Sequence, residues 1–242
     1  MERIDKLIAS MGRWSRREVK TLVREGRVLV DGRVVSSAEE KYDPENARIT
    51  IDGEELCYRR HTYIMLHKPA GLLSATEDSR KETVLDLLPA EYRRRGLFPV
   101  GRLDRDTEGL LLLTDDGALA HELLSPRKHV DKVYFVRVEG RLDESDRAAF
   151  AAGVTLADGL VCQSAGLEIL PDGAGSEAFM TLREGKFHQV KRMCASRGKP
   201  VTYLKRLSMG PLKLDDSLQP GQWRELTPEE ERALLSGQIT QA

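Results

Sequence analysis

One acidic side chain is a candidate for covalent chemistry because two arginines flank it in a short polar loop. The loop covers residues 101–109 and reads GRLDRDTEG, with Asp104 between Arg102 and Arg105. A nearby cation favours the ionised form of a carboxylate, and the ionised form is the one that can act as a nucleophile. The sequence therefore indicates Asp104 as a candidate nucleophile.

The element that must position this carboxylate follows it directly. Residues 110–113 are four consecutive leucines. A short apolar run bounded by turn residues is typical of a buried strand. The loop is therefore expected at the rim of a core, where a fixed strand can aim the Asp104 side chain.

The acidic residues of the loop fit two other kinds of site poorly. Asp104, Asp106 and Glu108 resemble the start of a calcium-binding loop, but its twelfth position needs a glutamate and holds Asp115 after the leucines. As a glycosidase pair, Asp104 and Asp106 would have no fixed separation, because they lie two residues apart on a tight loop. The sequence also contains no phosphate-binding loop, dinucleotide fingerprint or histidine ligand spacing.

The composition indicates a folded chain of one large or two smaller domains. The 242 residues are 40% hydrophobic and 32% charged, which excludes the disordered class. No apolar stretch reaches membrane-spanning length and the N-terminus has no signal-peptide core, so we expect a cytoplasmic protein without membrane association. Cys57, Cys162 and Cys194 are far apart and odd in number, which fits reduced thiols better than disulfides or metal ligands.

Basic residues are concentrated in two segments, although the formal net charge is only −1. Residues 1–35 contain nine Lys or Arg against five acids, and residues 186–213 contain eight with no Asp or Glu. Local basic faces of this kind can bind phosphate backbones. A charged surface that only faces water is the plainer interpretation, and two separate acid-poor segments weaken it.

The first part of the chain, about sixty residues, predicts a small helix–helix–hairpin unit. Apolar residues have helical spacing over 4–11, and Ser15 with Glu18 forms a capping box that begins a second helix. Asp31-Gly32 separates two short apolar runs, a strong β-hairpin signal, and 49–51 adds a strand. Residues 54–61 are polar and are expected to form a linker, so the first domain is predicted over 1–60.

A larger domain is predicted over residues 62–235, followed by a frayed tail over 236–242. Its pattern predicts strands at 63–66, 110–113, 133–138, near 161, at 167–170 and at 179–182, with helices at 84–88, 119–124, 145–152, 187–197 and from Thr227 onward. Because strands and helices do not alternate steadily, the pattern favours an α+β fold over a doubly wound sheet.

The N-terminal unit resembles the S4 RNA-binding domain in three segments, residues 3–7, 15–17 and 26–32. S4 domains present basic side chains of two helices to structured RNA. Roughly half of these basic side chains are expected to touch RNA phosphate, while others cap helices or face water. The candidate RNA contacts that the resemblance implies are Arg3, Lys6, Arg13, Ser15, Arg16, Arg17, Lys20 and Arg27.

The rest of the chain resembles the RsuA-type pseudouridine synthases. The matching segments are 67–71, 101–114, 132–134, 184–193 and 220–230, in the order of that family. Together with the S4-like unit they cover nearly the whole chain. The resemblance implies a mixed, mainly antiparallel sheet with flanking helices, and an enzyme that isomerises a uridine in RNA without a metal or an organic cofactor.

The same resemblance implies roles for individual residues. Asp104 is the implied nucleophile, which attacks either the ribose or the base ring; Tyr134 packs on the extruded base; and Lys191 faces Asp104, where most pseudouridine synthases have arginine. Asp106 and Thr107 are expected to fix the loop through side-chain-to-backbone hydrogen bonds. Arg102 and Arg105 are expected to meet RNA phosphate or to brace the loop, and further RNA contacts are expected from Lys186 and Arg192.

Residues 114–117 and 125–129 look most like the small-subunit branch, which modifies one uridine of 16S rRNA, the pseudouridine(516) type. The expected partner is 16S rRNA in an assembling small subunit, bound by a monomer. One alternative is a synthase of the same family that acts on 23S rRNA. Another is a non-catalytic S4 RNA-binding assembly factor, against which the intact Asp104, Tyr134 and Lys191 argue.

Overall fold

The computed structural model describes residues 1–125, 128–171 and 175–236. The chain divides into two units: Met1–Thr62 with Leu88–Leu97, and Tyr63–Leu87 with Phe98–Ala242. Residues 88–97 were expected inside the second domain, yet they belong to the first unit. Within that unit the Arg95 guanidinium donates to the Arg59 carbonyl at 3.0 Å.

The first unit has the predicted helix–helix–hairpin order. Its elements are β1 Glu2–Arg3, α1 Ile4–Ser10, α2 Arg16–Arg24, β2 Val28–Val30, β3 Arg33–Val34, β4 Lys41–Tyr42, β5 Ile49–Ile51, β6 Glu54–Leu56 and α3 Ala90–Arg94. The capping box that begins α2 is present, with the Ser15 hydroxyl accepting from the Glu18 amide. Asp31 and Gly32 both have positive φ, as a two-residue hairpin requires.

The predicted linker over 54–61 is partly wrong. Strand β6 pairs with β5 in the antiparallel sheet β3-β2-β5-β6, so residues 54–56 belong to the first unit. The reason is a second two-residue hairpin, because Asp52 and Gly53 also have positive φ, at 54° and 82°.

The second unit is built around one sheet of nine strands. Its elements are β7 Tyr63–Lys68, a 3₁₀ turn Val84–Leu87, β8 Phe98–Pro99, β9 Glu108–Thr114, α4 Gly117–Leu124, β10 Lys132–Val138, α5 Glu144–Ala152, β11 Gly166–Ile169, β12 Glu177–Leu182, α6 Gln189–Ser196, β13 Val201–Met209, β14 Leu212–Lys213, β15 Trp223–Glu225 and α7 Pro228–Leu235. The strand order is β11-β12-β10-β13-β9-β7-β15, with β8 on β9 and β14 on β13. Among the strands of the described residues, only the β9–β13 pair is parallel, so the predicted α+β fold with a mainly antiparallel sheet is confirmed.

Two hydrophobic clusters support this sheet. One joins β10 and β12 to Phe150 of α5 and to Met193 of α6. The other joins β7 and β9 to Leu123 of α4 and to Leu234 of α7. The four-leucine strand is fully buried, as its apolar run predicted.

Strand β13 is the longest strand that the sequence pattern missed. It lies in the middle of the sheet, antiparallel to β10 and parallel to β9. Its basic residues, Lys205 and Arg206, made this stretch look like a charged surface, but Arg206 is only 2% exposed. Residue 161 forms an isolated bridge with Thr155 rather than a strand.

Helix α6 begins two residues later than predicted, because His188 has φ 48° and so lies outside the helix. Part of the 125–129 segment assigned to the small-subunit branch, and residues 237–242 of the expected tail, lie outside the described residues. None of the helices in the described ranges combines the length and apolar content that crossing a bilayer requires.

Candidate active site

The loop that carries Asp104 is fixed at both ends. The Thr107 amide donates to the Asp104 carbonyl at 3.1 Å, which closes the turn immediately before β9. Gly109 follows with φ 105°, and a Cβ atom there would lie 2.2 Å from the Arg206 carbonyl oxygen. Only glycine therefore lets β9 run beside β13, and this close approach sets where the Asp104 loop leaves the sheet.

A buried lysine anchors the same loop from β7. The Lys68 side chain is 0% exposed, and its ammonium donates to the carbonyls of Pro69 (2.9 Å), Arg105 (3.1 Å) and Thr107 (2.9 Å). Burial lowers the pKa of Lys68 to about 8. The sequence segment 67–71 was noted, but this role of Lys68 was not predicted, because two of the carbonyls that it binds, those of Arg105 and Thr107, come from a distant part of the chain.

The Arg105 guanidinium braces the loop. It donates to the Gly71 carbonyl at 2.8 Å, while the Gly71 amide donates to the Arg105 carbonyl at 2.7 Å. Arg102, by contrast, is exposed and forms no ion pair with any described residue. The two arginines that flank Asp104 in sequence therefore differ, because only Arg105 is hydrogen bonded to the protein.

Two basic side chains lie beside the Asp104 carboxylate, one from the residue before α6 and one from the first turn of α6. Lys191 Nζ lies 3.3 Å from Asp104 Oδ2, and His188 Nε2 lies 3.5 Å from Asp104 Oδ1. The Lys191 ammonium also donates to Asp106, and this hydrogen bond holds the pKa of Asp106 below its usual range. One lysine thus bridges two carboxylates of the loop. This arrangement places an ammonium group from a distant part of the chain beside Asp104, where the sequence pattern predicted the flanking arginines.

Asp104 and Tyr134 line the same cavity. Its volume is about 70 Å³, and its walls combine polar groups with Leu182, Val190 and Leu204. The Asp104 side chain is 22% exposed, so its carboxylate is open to this space. A small cavity with apolar walls, an aromatic ring and a carboxylate suits a flat, polar-edged ring such as a nucleobase.

A wider groove of about 780 Å³ shares residues with this cavity. The cations on its wall include Arg102, Arg183 and Lys186, and its rim carries Phe187, which is 69% exposed. The Phe187 ring stacks on His188, with 3.8 Å between the centroids. Neither His188 nor Phe187 was predicted, because their placement depends on the left-handed backbone at His188.

Two residues near the groove that were predicted to contact RNA already bind other groups of the protein. The Lys186 ammonium donates to the Val161 carbonyl at 2.5 Å and lies 3.1 Å from Glu184. The Arg192 guanidinium lies 2.5 Å from the Asp158 carboxylate. The part of the chain that the structure describes contains no group of three or more His, Cys, Asp or Glu placed to hold a metal ion.

Most of the cations predicted to bind RNA in the first unit form ion pairs. The pairs are Arg3 with Asp5 and Glu39, Lys6 with Glu2, Arg13 with Glu54, Arg16 with Asp5, and Arg27 with Asp52 and Glu25. Ser15 serves as the helix cap. Arg17 and Lys20 are exposed and pair with no acid among the described residues.

Comparisons with known proteins agree with this geometry. Residues 62–196 match the RNA pseudouridylate synthase family, and residues 2–54 match the S4 domain. An uncharacterized RNA pseudouridine synthase of Bacillus subtilis, YtzG, is 48% identical over 94% of this chain and 96% of its own. The ribosomal small subunit pseudouridine synthase A of Escherichia coli is 39% identical over 94% of this chain and 97% of its own.

A solved structure has the same fold. A crystal structure of a pseudouridylate synthase superimposes with a TM-score of 0.67 and 35% sequence identity, covering 97% of this chain and 100% of that one. The similarity therefore extends over both units rather than over one motif. The chain belongs to the RNA pseudouridylate synthase family and is an RNA pseudouridine synthase with an N-terminal S4 domain.

Proposed function

We propose that this enzyme isomerises a single uridine of 16S rRNA, of the pseudouridine(516) type, with Asp104 as the nucleophile. The observation that carries the proposal is the meeting of three distant residues. Asp104 and Tyr134 line one cavity, and Lys191 lies 3.3 Å from the Asp104 carboxylate. Relatives named ribosomal small subunit pseudouridine synthase A, 39% to 41% identical, support the small-subunit substrate.

The proposed reaction uses these groups in turn. The target uridine leaves its stack and its base packs on Tyr134. The Asp104 carboxylate, 3.3 Å from Lys191 Nζ, forms a transient covalent bond to the nucleotide, at the ribose or at the base ring. The bond between ribose C1′ and N1 breaks, the base turns, and C1′ bonds to C5. The bond to Asp104 then breaks, which returns the carboxylate to its free form. One proton leaves C5 and one is gained at N1, so the product is an isomer.

The proposed RNA contacts are the cations that the protein leaves exposed to bind phosphates. Arg102 faces the groove beside the cavity, and Arg17 and Lys20 are exposed on the S4 unit. Arg13 and Arg27 of that unit pair with exposed carboxylates and can exchange them for phosphates at small cost, because exposed ion pairs contribute little. The proposed partner is 16S rRNA within an assembling small subunit in the cytoplasm, bound by a monomer.

The test is to map pseudouridine after incubating the protein with 16S and 23S rRNA transcripts and with precursor particles. We expect one new pseudouridine in 16S rRNA. Asp104→Asn should remove the activity, by about 10⁴-fold or more, and leave RNA binding intact. The exposed Asp216→Asn is the matched control and should behave as wild type.

Three outcomes would contradict parts of the proposal. Modification of 23S rRNA alone would overturn the 16S assignment. RNA binding without any isomerisation by the wild type would indicate an assembly factor. Turnover by the Asp104→Asn variant would show that another group is the nucleophile.

A further inference from the structure

The Thr107 hydroxyl is a buried polar group without a partner. Its residue is 1% exposed, and Oγ1 forms no hydrogen bond with any group that the structure describes. The backbone of the same residue is fully used, since its amide donates to the Asp104 carbonyl and its carbonyl accepts from Lys68. The expectation that the Thr107 side chain fixes the loop is therefore wrong, because the backbone does this and the hydroxyl stays free.

An unpaired buried hydroxyl is costly, and valine would fill the same volume without that cost. Buried polar side chains nearly always have a hydrogen-bond partner. A buried hydroxyl without one therefore indicates a partner that the isolated protein does not contain. Thr107 lines the cavity that also contains Asp104 and Tyr134. The residue that carries the unpaired hydroxyl therefore belongs to the wall of this cavity, and a ligand in the cavity is a candidate for the missing partner.

The other groups in the cavity indicate which part of a ligand the Thr107 hydroxyl contacts. Leu182, Val190 and Leu204 supply apolar walls, and the Gln189 amide already donates to Glu184 at 2.5 Å. Apolar walls with an aromatic ring favour a flat base over the hydroxyl-rich ribose. A threonine hydroxyl can donate to a carbonyl oxygen or accept from an N–H group, and the edge of uracil offers both.

We propose that the Thr107 hydroxyl hydrogen-bonds the polar edge of the uracil base held in the cavity. This inference rests on the proposed function, because it needs the target uridine to occupy the cavity. It makes Thr107 a residue that orients the base against Asp104.

The test compares Thr107→Val, which removes only the hydroxyl, with Thr107→Ser, which keeps it. Single-turnover rates are measured on the rRNA fragment that contains the mapped uridine, and thermal unfolding is measured in parallel. We expect Thr107→Val to lose about 3- to 10-fold in kcat/KM, with an equal or higher Tm, while Thr107→Ser stays close to wild type. A lower Tm for Thr107→Val would assign the hydroxyl to the fold and overturn the inference, and so would unchanged kinetics.

A binding measurement separates the base from the sugar. In an Asp104→Asn background, Thr107→Val should weaken binding of the fragment with its uridine, but not of the same RNA whose target nucleotide lacks the base. Equal loss for both RNAs would place the contact away from the base and overturn the inference. A wild type that isomerises no rRNA would instead defeat the proposed function, so the two failures are distinguishable.

Discussion

The two units differ in where cations lie, because the catalytic unit buries some of them and the S4 unit keeps them at the surface. In the S4 unit, Arg13 and Arg27 lie at the surface, about half exposed, and pair with carboxylates. In the catalytic unit, Lys68, Lys132 and Arg206 are at least 93% buried and donate to backbone carbonyls instead. Surface pairs contribute little to stability and exchange partners readily, whereas buried cations are expensive to desolvate and hold whatever they contact in place.

This difference predicts that the exposed cations determine the affinity for RNA, whereas the buried cations determine the geometry of the active site. The exposed cations can be replaced one by one with small effects on folding, and their sum sets how strongly RNA phosphates are held. The buried cations lie next to the loop and strands that carry Asp104 and Tyr134. Changing one of them should therefore alter catalysis more than binding.

The sharpest test of this contrast is Lys68→Met, which removes the ammonium that holds three carbonyls around the Asp104 loop. We expect kcat to fall about 100-fold, because a displacement of the nucleophile of about 1 Å has effects of this size. Unfolding in urea should show a stability loss of about 2 kcal/mol. The exposed Lys213→Met serves as the control and should match wild type in both measurements. Normal kcat in Lys68→Met would mean that the loop keeps its position without the anchor.

For the exposed cations of the S4 unit we expect a smaller effect, limited to the affinity for rRNA. Arg17 and Lys20 are predicted RNA contacts that pair with no acid among the described residues. Replacing both by alanine should weaken rRNA binding and leave the folding stability within about 0.5 kcal/mol. The slope of log affinity against log salt concentration should become shallower by about 1 to 2 units, because two phosphate contacts are lost. An unchanged slope would show that this face does not meet the RNA.

Arg16→Ala is the contrasting variant on the same helix. Arg16 and Arg3 both hydrogen-bond the Asp5 carboxylate, which is 0% exposed. Burial opposes the charge on Asp5, but these two hydrogen bonds outweigh it and hold the pKa of Asp5 below its usual range. Removing one of them should cost about 1 kcal/mol of folding stability, unlike the Arg17 and Lys20 changes.

The smallest predicted effect is a rise in stability at mildly alkaline pH. Burial is the main cause that lowers the pKa of Lys68 and of Lys132 from the usual 10.5 to about 8. Between pH 8 and 10.5 the unfolded chain therefore binds more protons than the folded one, so stability rises with pH in this window; below pH 8 the penalty is fully present. The free energy of unfolding should be about 1 kcal/mol higher at pH 9 than at pH 7.5, and Lys132→Met should remove part of the rise. A flat or falling profile would mean that these ammonium groups are better solvated than their burial indicates.

Local features of the fold were predictable from the sequence. The Ser15 cap, the Asp31-Gly32 hairpin and the buried leucine strand depend on residues close together in the chain, and all three are present. Strand β13 was not predictable in this way, because its Lys205 and Arg206 look like surface residues. Its place in the sheet follows from pairing with β9 and β10, which no local pattern encodes.

The sequence by itself determined that Asp104 sits in a glycine-bounded loop before a buried strand, and its resemblance to one family selected Tyr134 and Lys191. Only the tertiary structure decided that the flanking arginines do not pair with the Asp104 carboxylate. Arg105 is adjacent in sequence but hydrogen-bonds Gly71, whereas Lys191 reaches Asp104 from α6. Residues adjacent in the chain can point their side chains in different directions. The packing of β9, β13 and α6 sets those directions here.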